Sequence, residues 1–155
     1  MAYGDDAGFT AWLSANGYAL TDGMLAPAVL RLRGSNYVDA TYGARFKGQP
    51  TEGVMQSRAW PRTGIDDVPA DTVPQRVIDA AYEAAWVEAQ NPGSLSVIAT
   101  PGQRVVRERV EGAVDVSYAA PGSDAVADAT PILTSVEGLL WLFLRPAFEP
   151  AAMVV

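Results

Sequence analysis

From Val73 to Gly93 the chain reads VPQRVIDAAYEAAWVEAQNPG, and its apolar positions fall at helical spacing. Val77, Ala81, Ala84 and Ala85 follow one another at three- and four-residue steps. Glu88 occupies the same stripe in the last turn, and Ile78, Tyr82 and Val87 widen it. Pro74 suits a first helical residue, where a missing N–H costs nothing, and Asn91-Pro92-Gly93 ends the hydrogen-bond ladder. Ala80, Ala81, Ala84, Ala85 and Ala89 let a second helix come close, so this helix is expected at the centre of the fold. Either it is simply a core helix, or part of its surface meets another copy of the chain.

Before it, Asp5 or Asp6 can cap a short helix that carries Phe9, Trp12 and Leu13 on one side and ends at Gly17. Thr21-Asp22-Gly23 opens a second helical region with Leu25, Val29, Leu32, Tyr37 and Phe46 as its apolar face. Gly34-Ser35-Asn36 can break it in two, and Gly48 stops it. Residues 49 to 73 hold Pro50, Gly53, Pro61, Gly64 and Pro69 and read as irregular. Met55 and Trp60 inside them are apolar anchors that fold back on the core or onto a partner.

After the central helix the period changes to two. Alternation around Glu111-Gly112 predicts a β-hairpin of roughly Arg104–Val110 and Ala113–Tyr118, with Gly112 in the turn. A lone hairpin is marginal in water, so it packs on the helices or pairs with another chain. Residues 119 to 131 are a small-residue linker. Thr134-Ser135-Val136-Glu137 reads as a capping box opening a helix over about 134–145 that is apolar nearly all round and ended by Pro146. The tail, AFEPAAMVV, either covers the chain's own core or inserts into a neighbour. The fold class is mainly α: a helical bundle with a small β-hairpin and an extended C-terminal tail. It forms one domain over 1–146, followed by 147–155. Trp12, Leu139, Phe143 and the central helix are its expected core.

Composition removes several function classes. The chain of 155 residues has no cysteine and no histidine, so thiolate chemistry, disulfides and the commonest general base and metal ligand are missing. Lys47 is the only lysine, and no P-loop or glycine-rich dinucleotide turn is present. The net charge of −7 argues against tight nucleic-acid binding, which needs clustered Lys and Arg to release counterions. An acidic surface beside DNA keeps it from sticking. The opening residues carry no secretory signal, and the apolar run Val136–Leu144 is about half a membrane span, so a soluble, cytoplasmic protein with no membrane contact is the default. A mean hydropathy of +0.06 fits either a generous core or apolar surface hidden in an oligomer.

The order of features adds a resemblance. TYGARFKG at 41–48, Trp60-Pro61-Arg62, the VPQRVIDAAYEAA helix, RVVRERVEGAVDVSY at 104–118 and LLWLFLRP at 139–146 occur in a succession that resembles the head-to-tail adaptor (connector, neck) proteins of tailed bacteriophages. Many relatives of that type carry the label DnaT-like single-stranded-DNA-binding protein. The resemblance covers roughly residues 5 to 146. It implies a ring, typically of twelve copies, below the portal protein. That ring extends the channel for passing double-stranded DNA and presents a platform to the next neck or tail protein, a stopper or tail terminator. It also implies a place in the virion at the head-to-tail interface, after synthesis in the host cytoplasm. In such adaptors the C-terminal segment often docks into the portal, which suits the apolar tail.

Candidate contacts follow. Phe148, Met153, Val154 and Val155, with Trp60 and Arg62, are candidates for portal or partner contact. Arg104, Arg107, Arg109 and Glu108 are candidates for an inter-subunit hairpin. Trp60-Pro61-Arg62 is either a docking motif or a structural plug with Trp in the core and Arg on the surface. The hairpin arginines and Arg76 could face phosphates, but Glu108 and Glu111 among them favour an ordinary ion-paired face. Asp66-Asp67 with Asp71 could hold a hard cation, though solvated or capping roles are the simpler reading. No catalytic, metal or cofactor site is expected. A structural adaptor comes first and a single-stranded-DNA binder is the alternative; nothing points to an enzyme.

Overall fold

The computed structural model describes residues 1–96 and 131–146. The predicted hairpin at 104–118, the linker but for Pro131, and the tail at 147–155 lie outside the described residues. Four helices carry the rest: α1 (Asp6–Ala15), α2 (Pro27–Tyr42), α3 (Gln75–Gln90) and α4 (Thr134–Leu140). Between α2 and α3 the two short strands β1 (Gln49–Pro50) and β2 (Arg62–Thr63) pair antiparallel, Gln49 opposite Thr63 and Pro50 opposite Arg62. The described chain is therefore mainly α with a small two-stranded sheet.

The centre is α3, as its spacing predicts. One side of it (Val77, Ala80, Ala81, Ala84) floors a cluster with Tyr37, Val38, Tyr42, Phe46, Trp60, Val136 and Leu140. The other side (Tyr82, Ala85, Trp86, Ala89) floors a second cluster with Phe9, Leu13 and Leu30. The alanines are thus buried within the chain itself, against α2 and α4. The closest approach is at Gly34 of α2. A Cβ there would lie 2.2 Å from Ala81 O and 2.7 Å from Ala85 N, so the crossing requires glycine.

That crossing corrects the expected break at Gly34-Ser35-Asn36. The helix passes straight through, because Gly34 is a contact and not a punctuation mark. Ser35 is satisfied: its hydroxyl donates to Arg31 O at 2.7 Å and accepts Tyr3 N–H at 2.9 Å. The helix also starts later than Thr21-Asp22-Gly23, at Pro27, a residue pre-set for the first turn. Its buried face is Leu30, Gly34, Tyr37, Val38 and Tyr42; Val29 and Leu32 of the expected face are 40% and 43% exposed.

Two expectations near the C-terminal end also change. Thr134 is the first helical residue, Leu133 precedes it, and no side chain caps the turn. Glu137 reaches instead to Arg45, 2.8 Å away. The helix is not buried all round: after Leu140 a 3-10 turn (Trp141–Phe143) leaves Trp141 62% and Leu142 41% exposed. The tighter turn carries Leu144 to Phe46, where the two form an antiparallel bridge. Trp12 and Leu139 are only partly buried, packed against the clusters, whereas Phe143 is buried. Residues 49–73, expected to be irregular, contain β1, β2 and a 3-10 turn (Gly53–Met55) between them.

Candidate functional site

Most cations of the described chain are engaged inside it. Arg31 holds Asp6 at 2.6 Å and donates to Gly4 O at 2.8 Å. Arg33 pairs with Glu88 at 2.6 Å, and Arg58 with Asp39 at 3.1 Å. Arg45 pairs with Glu137, and Lys47 Nζ donates to Leu142 O at 2.9 Å. Arg76 and Arg145 have no ion pair among the described residues.

Trp60-Pro61-Arg62 lies within the fold. Trp60 is 2% exposed, its ring edge-on to Phe46 and Phe143. Arg62, expected on the surface, is 5% exposed. The reason is an array of carbonyls that only a planar fork with five donors can serve. Its guanidinium donates to Lys47 O at 2.7 Å, Gly48 O at 3.0 Å and Ala59 O at 3.0 Å. Burial, and then the charge of Arg145, lowers its proton affinity.

A second polar knot ties down the N-terminal residues. Tyr3 donates its hydroxyl proton to Asp39 and accepts Trp60 N–H at 3.1 Å. Burial, followed by the bond to Asp39, pushes its pKa far up, so this tyrosine stays a donor and not a base. Sequence reading missed Tyr3 because a single aromatic at the chain start has no periodic partner. Glu88 is the other buried charge. Burial raises its pKa, but bonds from Gly93 N–H, Arg33 and Leu95 N–H outweigh it, and the net shift is downward.

Several aspartates have local partners. Asp5 caps α1 by accepting Gly8 N–H at 2.7 Å, Asp6 holds Arg31, and Asp71 accepts the Thr72 hydroxyl. Among the described residues no three ligating side chains gather, and no helix is long and apolar enough to cross a membrane.

Among the described residues the most exposed apolar pair beyond Met1 is Val54, fully exposed, and Met55, 86% exposed, at the tip between β1 and β2. The tip is braced. Gln56 accepts Glu52 N–H at 3.1 Å and donates to Arg58 O at 2.8 Å and Pro61 O at 2.9 Å, and Thr51 donates to Ala70 O. Held this way, two apolar side chains stand in water at small further entropic cost to a partner. Met55 was legible as an anchor, but its direction away from the core was not. Two grooves among the described residues flank the helices. One, of about 430 Å³, is walled by Trp12, Ile78 and Tyr82. The other, of about 510 Å³, is walled by Arg33, Tyr37, Glu88 and Leu95.

The family model described as "Putative DnaT-like ssDNA binding protein" matches residues 2–154. The chain belongs to this family. No curated protein and no solved structure matches it. The family's description agrees with the label in the resemblance and contains nothing about a phage adaptor. Phe148, Met153, Val154, Val155, Arg104, Arg107, Arg109 and Glu108 lie outside the described residues.

Proposed function

We propose that the chain is a structural adaptor subunit at the head-to-tail interface of a tailed phage. Copies assemble into a ring below the portal, double-stranded DNA passes through it without being held, and the next neck or tail protein docks on its far side. The internal engagement of most of the described arginines carries this reading. With Arg31, Arg33, Arg45, Arg58 and Arg62 tied to partners within the chain, the acidic balance of −7 remains to repel phosphate. The braced apolar tip at Val54–Met55 and the succession of motifs support it as well.

The family's description favours a second reading, binding of single-stranded DNA. Such binding needs an exposed aromatic beside cations; Trp141 is exposed, and Lys47 Nζ donates to the carbonyl of the next residue, Leu142.

Electron microscopy of reconstituted neck complexes, with residues 147–155 intact and deleted, separates the two. Under the adaptor reading the intact protein forms a ring on the portal and the deletion does not. An intact protein that never joins the portal, yet retains single-stranded DNA at moderate salt, sinks the adaptor reading in favour of the second.

A further inference from the structure

Two exposed apolar patches of opposite charge stand on this chain. The first is the tip between β1 and β2, where Val54 and Met55 lie almost wholly in water and the adjoining Glu52 is exposed. The second follows α4, where Trp141 and Leu142 are exposed side by side. Lys47, exposed as well, is fastened to this pair. Its Nζ donates to Leu142 O at 2.9 Å and its backbone N–H to Phe143 O at 2.8 Å. Neither Glu52 nor Lys47 has an ion pair among the described residues.

Within one chain neither patch covers the other, since both stay in water. The bonds of Gln56 and Thr51 hold the tip in place, so it does not fold back onto its own Trp141. The two patches nevertheless suit each other. A methionine thioether is flexible and polarisable and packs well against an aromatic ring. Tryptophan is the side chain that most often anchors a protein contact. The tip carries a carboxylate beside its apolar pair, and the receiving patch carries an ammonium beside its own, so the charges match as well.

We propose that Val54 and Met55 of one copy dock on Trp141 and Leu142 of a second copy of this chain, with Glu52 facing Lys47 across the contact. The inference rests on the ring reading above and names its subunit contact. Tip and receiving patch are different surfaces, so every copy offers one of each. Such a contact runs head to tail from copy to copy and closes into a ring when the rotation per copy closes. These four apolar side chains cover less than the roughly 1,200–2,000 Å² of a stable interface. The contact by itself is therefore weak, and free copies use it only at high concentration.

The test is cross-linking between introduced cysteines, which report a single contact because the chain has none of its own. Full-length Val54→Cys and Leu142→Cys proteins are treated with a short bismaleimide at high protein concentration. Each alone should give little covalent dimer, and the mixture should give abundant dimer. Both substitutions on one chain should give a ladder of higher species. Lys47→Glu added to both cysteine proteins should lower the mixed yield several-fold, as should Glu52→Lys. The two reversals together should restore it, because every contact then pairs the exchanged charges. Circular dichroism melts confirm that each protein is folded. Val54→Cys alone dimerising as well as the mixture means that tips meet tips, and overturns the proposal. So does a charge exchange that fails to restore the yield. A mixture that stays monomeric overturns the contact too; a ring seen on the portal would then leave the ring reading standing on another surface, and no ring would remove both.

Discussion

Arg62 and Glu88 show what single residues do in this chain. Arg62 closes several backbone carbonyls at once, so shortening it leaves acceptors buried and unpaired. Arg62→Lys keeps the charge but not the fork, and should cost about 2–3 kcal/mol in urea unfolding. Glu88 predicts a pH dependence. Its folded pKa lies below the ordinary carboxylate value, so the unfolded chain binds the proton more readily. Its contribution is complete above the unfolded pKa and is lost as pH falls through the folded one. Thermal melts from neutral pH into acid should therefore show Glu88→Gln less acid-sensitive than wild type, and less stable at neutral pH. The stripe at helical spacing led to position 88, but it gave no reason for a carboxylate there. The reason is three-dimensional: Gly93 and Leu95 turn their N–H groups back onto it, and Arg33 arrives from α2.

At the scale of elements, the crossing of α2 on α3 decides most of the packing. Gly34→Ala places a methyl against the Ala81 carbonyl and the Ala85 amide, both backbone, which cannot step aside. The helices must separate, at about 1–3 kcal/mol or more, read from the denaturation midpoint. Gly138 in α4 is the contrast. It is exposed, with nothing within 4 Å of an added Cβ, so Gly138→Ala should raise stability by up to about 1 kcal/mol. By helix propensity alone both glycines are weak points, because propensity is local. Only the partner helix distinguishes the one that is a contact. The same limit explains the capping box at Thr134: the motif is present, but Arg45, some ninety positions earlier, draws Glu137 away from the helix start.

At the scale of the whole molecule, charge and exposed apolar surface set what the protein can meet. Val54→Ser with Met55→Ser should shift stability by no more than about 0.5 kcal/mol, since both side chains are already in water, yet weaken any assembly that uses the tip. Analytical ultracentrifugation with a parallel melt checks both halves. A large loss of stability would mean the tip packs within its own chain. The sequence alone determined the helical character, the central position of α3, the missing His and Cys chemistry and the acidic field, because periodicity, composition and net charge are sums over local positions. Only the tertiary structure decided that Trp60 and Arg62 face inward, that α2 runs unbroken over Ala81, that Val54 and Met55 face outward, and that Arg45 meets Glu137. Those are juxtapositions of residues far apart in the chain. They depend on which surfaces the core excludes from water, and no local pattern records that.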